Sequence, residues 1–174
     1  MPTYAGFLRG VSPLNCKMAE LKQCLVTAGF GHVQTVLASG NVVFDVRAAS
    51  RESLERKVEA AMHKGLGRVF PTTVRSIEEL TALQTADPYK KFDLPAKAKR
   101  VVTLLHTRPT TKVKLPIELD EAQILCLKGT EVFSAYVPNA KGPVFMALIE
   151  KTFGKDLTTR TWETIRKVVE AGSR

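Results

Sequence analysis

Arg9-Gly10, Ser39-Gly40-Asn41 and Arg160 are the residues of this sequence whose types suit one chemistry, the holding of an anion. An arginine offers several N–H donors to a carboxylate or phosphate. Serine and asparagine add short polar side chains, and glycine lets backbone N–H groups approach a ligand. Each residue also has an ordinary structural use. Gly40 and Asn41 suit a tight hairpin turn, where a positive φ is needed. Arg9 is harder to account for in that way. It ends an apolar strand, where a charge needs water or a partner.

Other chemistries find less support. The sequence has no G-x-S-x-G, P-loop or G-x-G-x-x-G motif. Cys16, Cys24 and Cys126 show no metal-ligand spacing, and His32, His63 and His106 are scattered. Neither a structural zinc nor a cofactor is expected. Cys16 lies beside Lys17 near a helix start, a setting that can lower a thiol pKa. No histidine is placed to act on it, so an inert thiol is expected. Glu118, Asp120 and Glu121 read as a solvated acidic turn. Trp162 reads as a core anchor in the first turn of a helix, behind the cap residues Thr159 or Thr161.

The elements that must position these residues follow from periodicity. Residues 3–9, 32–38, 41–46 and 72–77 read as strands. Residues 17–29 and 50–66 carry apolar residues at helical spacing, with Ser50 as an N-cap. The order is β-α-β-β-α-β, a ferredoxin-like plait. Ser76 and Glu79 form a capping-box signature, so a helix should start near Ile77. Residues 85–99, with two prolines and four lysines, read as a linker.

In the second half, 100–106, 123–129 and 131–137 read as strands, and 107–122 as a poor helix. Residues 142–154 and 158–172 read as helices. Gly40-Asn41-Val42-Val43-Phe44 and Gly129-Thr130-Glu131-Val132-Phe133 share the pattern G-x-x-V-F. That echo suggests a degenerate second copy whose first helix is lost or shortened. Two α+β subdomains are expected, 1–78 and 79–174, with antiparallel sheets and C-terminal helices.

In such a plait the end of the first strand and the turn between the second and third strands lie at one edge. That edge also receives the N-terminus of the first helix and the C-terminus of the second. Arg9, Gly10, Asn15, Lys17, Ser39, Gly40, Asn41, Lys64, Gly65 and Arg68 should gather there. The helix N-terminus adds its positive dipole end.

The totals bound these expectations. The chain has 174 residues, 44% hydrophobic and 25% charged, as a globular protein would. No run approaches the roughly 18 apolar residues that span a bilayer. The N-terminus lacks a basic n-region ahead of its apolar stretch, so a cytoplasmic protein without membrane partners is expected. A net charge of +9 favours anionic partners without locating a site.

Three stretches together resemble one family. "FLRGVSPLNCKMAEL" (7–21), "ASGNVVF" (38–44) and "TTRTWETIRKV" (158–168) are similar to the bacterial domain of unknown function 1697. The shared features are Leu8-Arg9-Gly10, Met18, Ser39-Gly40-Asn41-Val42, and Arg160 with Trp162. The resemblance implies two ferredoxin-like halves and no assigned activity. This chain departs from it at Val11–Asn15, where the family often has paired glycines, which weakens a glycine nest for phosphate.

The expectation for function is a small anionic ligand, bearing phosphate or carboxylate, at the Arg9/Ser39–Asn41 edge, with Arg160 as a further contact. Whether any reaction occurs there is left open. One alternative is a nucleic-acid-binding module that stacks bases on strand aromatics. Another is an interaction protein that pairs through open sheet faces.

Overall fold

Apolar residues at period two and period 3.6 build nine strands and five helices in the computed structural model, which describes residues 1–110 and 112–174. The first half runs β1 (Thr3–Leu8), α1 (Met18–Thr27), β2 (Gly31–Val36), β3 (Asn41–Asp45), α2 (Arg51–Leu66), β4 (Thr72–Ser76) and α3 (Ile77–Ala86). A 3-10 turn, Pro88–Lys91, leads to β5 (Lys99–Leu105), β6 (Ile117–Leu119), β7 (Ala122–Lys128) and β8 (Glu131–Tyr136). The chain ends with α4 (Val144–Phe153), β9 (Leu157–Thr161) and α5 (Trp162–Gly172).

The chain divides into two units, Met1–Thr85 with Ile165–Arg174, and Ala86–Thr164. These limits differ from a boundary after residue 78 by α3 and by the tail. Both differences have local causes. Ser76 Oγ accepts from Glu79 N at 3.0 Å, and Glu79 Oε2 accepts from Ser76 N at 2.8 Å. This capping box starts α3 directly from β4. At the tail, Gly172 packs so closely on Ile77 that a Cβ there would lie 2.5 Å from its side chain.

The first unit is the expected plait. Its sheet has the order β2-β3-β1-β4, with every pairing antiparallel. One face packs on α1 and α2 through Leu8, Val42, Phe44 and Val74 against Leu21, Leu54 and Met62. Ser50 Oγ accepts from Ser53 N at 3.2 Å to begin α2, and Gly67, at φ 70, ends it. Glu55 reaches from α2 to accept the Val74 backbone N–H at 2.9 Å. That bond ties the helix to the edge of the sheet.

The sheet's second face is buried as well. Ala5, Phe7, Thr73 and Arg75 are each 0% exposed, and Val43 is 3% exposed. The aromatics that a base-stacking sheet would display, Phe7 and Phe44, are therefore inside. On β1, β3 and β4 the sheet face considered for pairing, within the chain or between chains, is covered.

The second unit is the degenerate copy. Its sheet has the order β6-β7-β8-β5-β9, again antiparallel throughout. Strands β7-β8-β5-β9 repeat the order β2-β3-β1-β4. Between β5 and β7, where the first half has α1, the described residues form only the short β6, and α4 stands where the first half has α2. Of the poor helix expected over 107–122, residue 111 lies outside the described residues; the described ones form no helix, and part of the span is β6. The helix expected over 158–172 is a strand followed by a helix. Thr158, Thr159 and Thr161 are β-branched and pair with β5 before α5 begins. Thr161 caps that helix, its Oγ accepting from Thr164 N at 3.1 Å. Trp162 packs edge-on against Tyr89 and Phe133, with centroids 5.4 and 6.0 Å away.

Candidate functional site

The Arg9 edge is assembled by backbone bonds. Phe7 pairs with Asn41 in the ladder, and the next N–H, that of Leu8, donates to Gly40 O at 2.8 Å. On the other side, Arg9 N donates to Pro71 O at 2.8 Å. The end of β1 is therefore clamped between the β2–β3 turn and the start of β4. Gly40 has φ +90, and a Cβ there would lie 2.9 Å from Val11 Cβ and 3.1 Å from Leu8 Cβ. Only glycine fits this contact, because both the backbone angle and the space exclude a side chain.

Asn41 holds the turn from inside. It is 0% exposed, and its side-chain N–H groups donate to Val36 O at 2.9 Å and to Ser39 Oγ at 3.0 Å. The bond to Val36 O braces Leu37, which has an unusual φ of +61 for a non-glycine residue. Ser39 is exposed at the rim.

The loop after Arg9 is held by Asn15. Its Oδ1 accepts from Ser12 N at 2.8 Å, and its Nδ2 donates to Gly10 O at 2.8 Å. Gly10 is exposed at φ +84. Arg68 follows α2 and donates to Asn15 O at 3.4 Å, with its guanidinium 4.7 Å above the Phe70 ring. α1 starts behind this loop at Lys17, whose side chain makes no cap bond. Arg9, Gly10, Asn15, Ser39, Gly40, Asn41 and Arg68 thus belong to one connected edge. Lys64 instead lines a hollow with Ala28 and Ala61.

Arg160 sits in the second unit, on β9 opposite Val102. Its Nη1 donates to Thr159 O at 3.0 Å. Burial pushes its guanidinium down to about 10, which still leaves it charged at neutral pH.

The ladders reveal a residue that the sequence does not single out. Phe7 pairs with Asn41 and Ala5 with Arg75; Leu104 pairs with Glu131 and Val102 with Arg160. Arg75 and Arg160 therefore occupy equivalent positions of the two plaits. Arg75 is 0% exposed and donates to Val74 O at 2.9 Å. A signal existed in Thr73-Val74-Arg75 and Thr158-Thr159-Arg160, both T-x-R in the last strand of their half. The same registers correct the G-x-x-V-F echo by one residue, because Asn41 corresponds to Glu131 and not to Thr130. The first hairpin turn spans 37–40 and the second only 129–130.

Among the remaining candidates, burial pushes the Cys16 thiol up, as does Glu20, and Arg68 only partly opposes them. Asp120 is paired with Lys141 at 2.9 Å. Among the described residues, no three His, Cys, Asp or Glu side chains come together as metal ligands. No helix among them is long and apolar enough to cross a membrane.

A family model described as a protein of unknown function (DUF1697) matches residues 1–133. Comparison with curated proteins finds no match. Among solved structures, the fold is similar to that of the conserved bacterial protein SP0830 from Streptococcus pneumoniae. The TM-score is 0.72 and the sequence identity 21%, over 100% of this chain and 99% of that one.

Proposed function

The chain belongs to the DUF1697 family, and from that premise we propose that it binds a small anion, bearing phosphate or carboxylate, at the Arg9 edge. Arg9 meets the charge, while Ser39 and the backbone N–H groups around Gly10 complete the cradle. Asn41 acts from beneath as a positioning residue, because its side chain is spent on Val36 O and Ser39 Oγ.

The observation that carries this proposal is the packing of Gly40 on Val11 and Leu8. It joins a turn with a polar rim to a strand end that carries an arginine. A second cation, Arg68, is held on the same loop by the Asn15 carbonyl. The start of α1 lacks a side-chain cap, which favours negative charge nearby. We also infer a cytoplasmic location, where the three free cysteines would stay reduced.

A thermal-shift screen of inorganic phosphate, nucleotides and small carboxylates tests the proposal. A ligand at a hundredfold its Kd adds about 2.7 kcal/mol to stability, which is readily seen. The expected result is a stabilising anion whose effect Arg9→Ala removes.

A further inference from the structure

The surface where α1 and α2 meet carries two hollows that share Ala28, Ala61 and Lys64. Their volumes are about 440 Å³ and about 350 Å³. Each lies in the range of sites that hold small organic molecules. The hollows follow from the local sequence. At Gly65 the helices nearly touch, and a Cβ there would lie 2.5 Å from Cys24 Cβ. Before that point α2 presents Ala60 and Ala61, whose small side chains leave the larger space open beside Phe30 and Val46.

The larger hollow is walled mostly by apolar groups and contains no carboxylate. Its charged groups are Lys57 and Lys64. They are two helical turns apart on one face of α2, with a rise of about 10 Å between them. Both are exposed, and among the described residues neither is in an ion pair. A solvated lysine alone is ordinary surface. Two unpaired ammonium groups flanking an apolar trough complement a molecule with an apolar body and a negative head. The smaller hollow includes Glu20, whose carboxylate disfavours a negative head there and leaves the larger hollow as the better fit.

We propose that this trough binds a medium-chain carboxylate, with its tail against Phe30 and Ala61 and its head at Lys57 or Lys64. The site is separate from the Arg9 edge, and neither depends on the other.

Titrating the full chain with octanoate tests this, with octanol and octylamine as companion probes. The expected result is saturable octanoate binding, weaker octanol binding and no octylamine binding. Lys57→Gln combined with Lys64→Gln should weaken octanoate about fivefold, toward the octanol level. Ala60→Trp, at an exposed position, should fill the trough and abolish binding with an unchanged circular dichroism spectrum. Arg9→Ala should change nothing here. Absence of octanoate binding to the wild type would overturn the proposal. So would equal binding of the three probes, octanoate affinity unchanged by the double lysine variant, or binding that persists in Ala60→Trp. Tighter binding of an acidic amphipathic peptide than of octanoate would overturn the choice of a small molecule as occupant.

Discussion

The Leu8 backbone N–H donates to Gly40 O at 2.8 Å, one residue beyond the rung that pairs Phe7 with Asn41. The second plait makes the same bond, from Leu105 N to Thr130 O at 2.9 Å. This joint is therefore a general feature of the plait. What distinguishes the first copy lies just past it. There the strand continues into Arg9-Gly10-Val11, and the longer turn leans on Val11. In the second copy the strand continues into His106, which pairs with Asp156 at 3.3 Å. The candidate site is built from what the first copy has added to a shared frame.

Gly40→Ala should destabilise the protein by about 2–4 kcal/mol, from left-handed backbone strain and the contact with Val11. Urea denaturation would measure it. A loss within error of zero would mean that the turn can move off Val11, and that the edge is not fixed as described.

Asn41→Ala should cost about 1–3 kcal/mol, because it removes one buried and one part-buried hydrogen bond and leaves the Val36 carbonyl without this donor. Its effect on ligand affinity should be indirect, through the position of Ser39. Ser39→Ala should cost less than Asn41→Ala, since it removes only the bond at the exposed rim and leaves the one to Val36 O in place. Comparing the two variants by denaturation separates support of the turn from presentation at the rim.

The edge was legible in the sequence because a plait leaves little choice about which loops meet. Once 3–9, 32–38 and 41–46 are read as strands, Arg9 and the turn must share an end. The role of Asn41 was not legible, because a turn asparagine can face in or out, and burial depends on the ladder register. Arg75 was missed for a related reason. A charged residue inside an alternating strand reads as solvent-facing, yet on β1 and β4 both faces of this sheet are buried. β9 was hidden because its threonines serve equally as strand formers and as helix caps, and only pairing with β5 decides between them. The G-x-x-V-F echo found the repeat but slipped by one residue. Two turns of different length cannot be aligned through their glycines, and a slip of one residue exchanges the faces of a strand.

Asp45 gives a pH-dependent prediction. Thr3 Oγ donates to its Oδ1 at 2.6 Å, and His32 Nδ1 lies 2.8 Å from its Oδ2. The Thr3 hydroxyl, with a smaller contribution from His32, holds Asp45 below the usual carboxylate range despite some burial. A carboxylate with a depressed folded pKa adds stability above its unfolded value, near 3.9, and loses it as pH falls through the folded value. The stability gap between wild type and Asp45→Asn should be full near pH 7 and close in acid. Denaturation midpoints at pH 7 and pH 3 would show this. A gap that widens in acid would contradict it.

The most direct measurement of the central claim is ligand-induced thermal stabilisation of the wild type and Arg9→Ala, run against phosphate, nucleotides and small carboxylates. The account predicts at least one anion that raises the wild-type melting temperature and leaves that of Arg9→Ala unmoved from its own ligand-free value. A panel in which no anion stabilises the wild type more than it stabilises Arg9→Ala would contradict it.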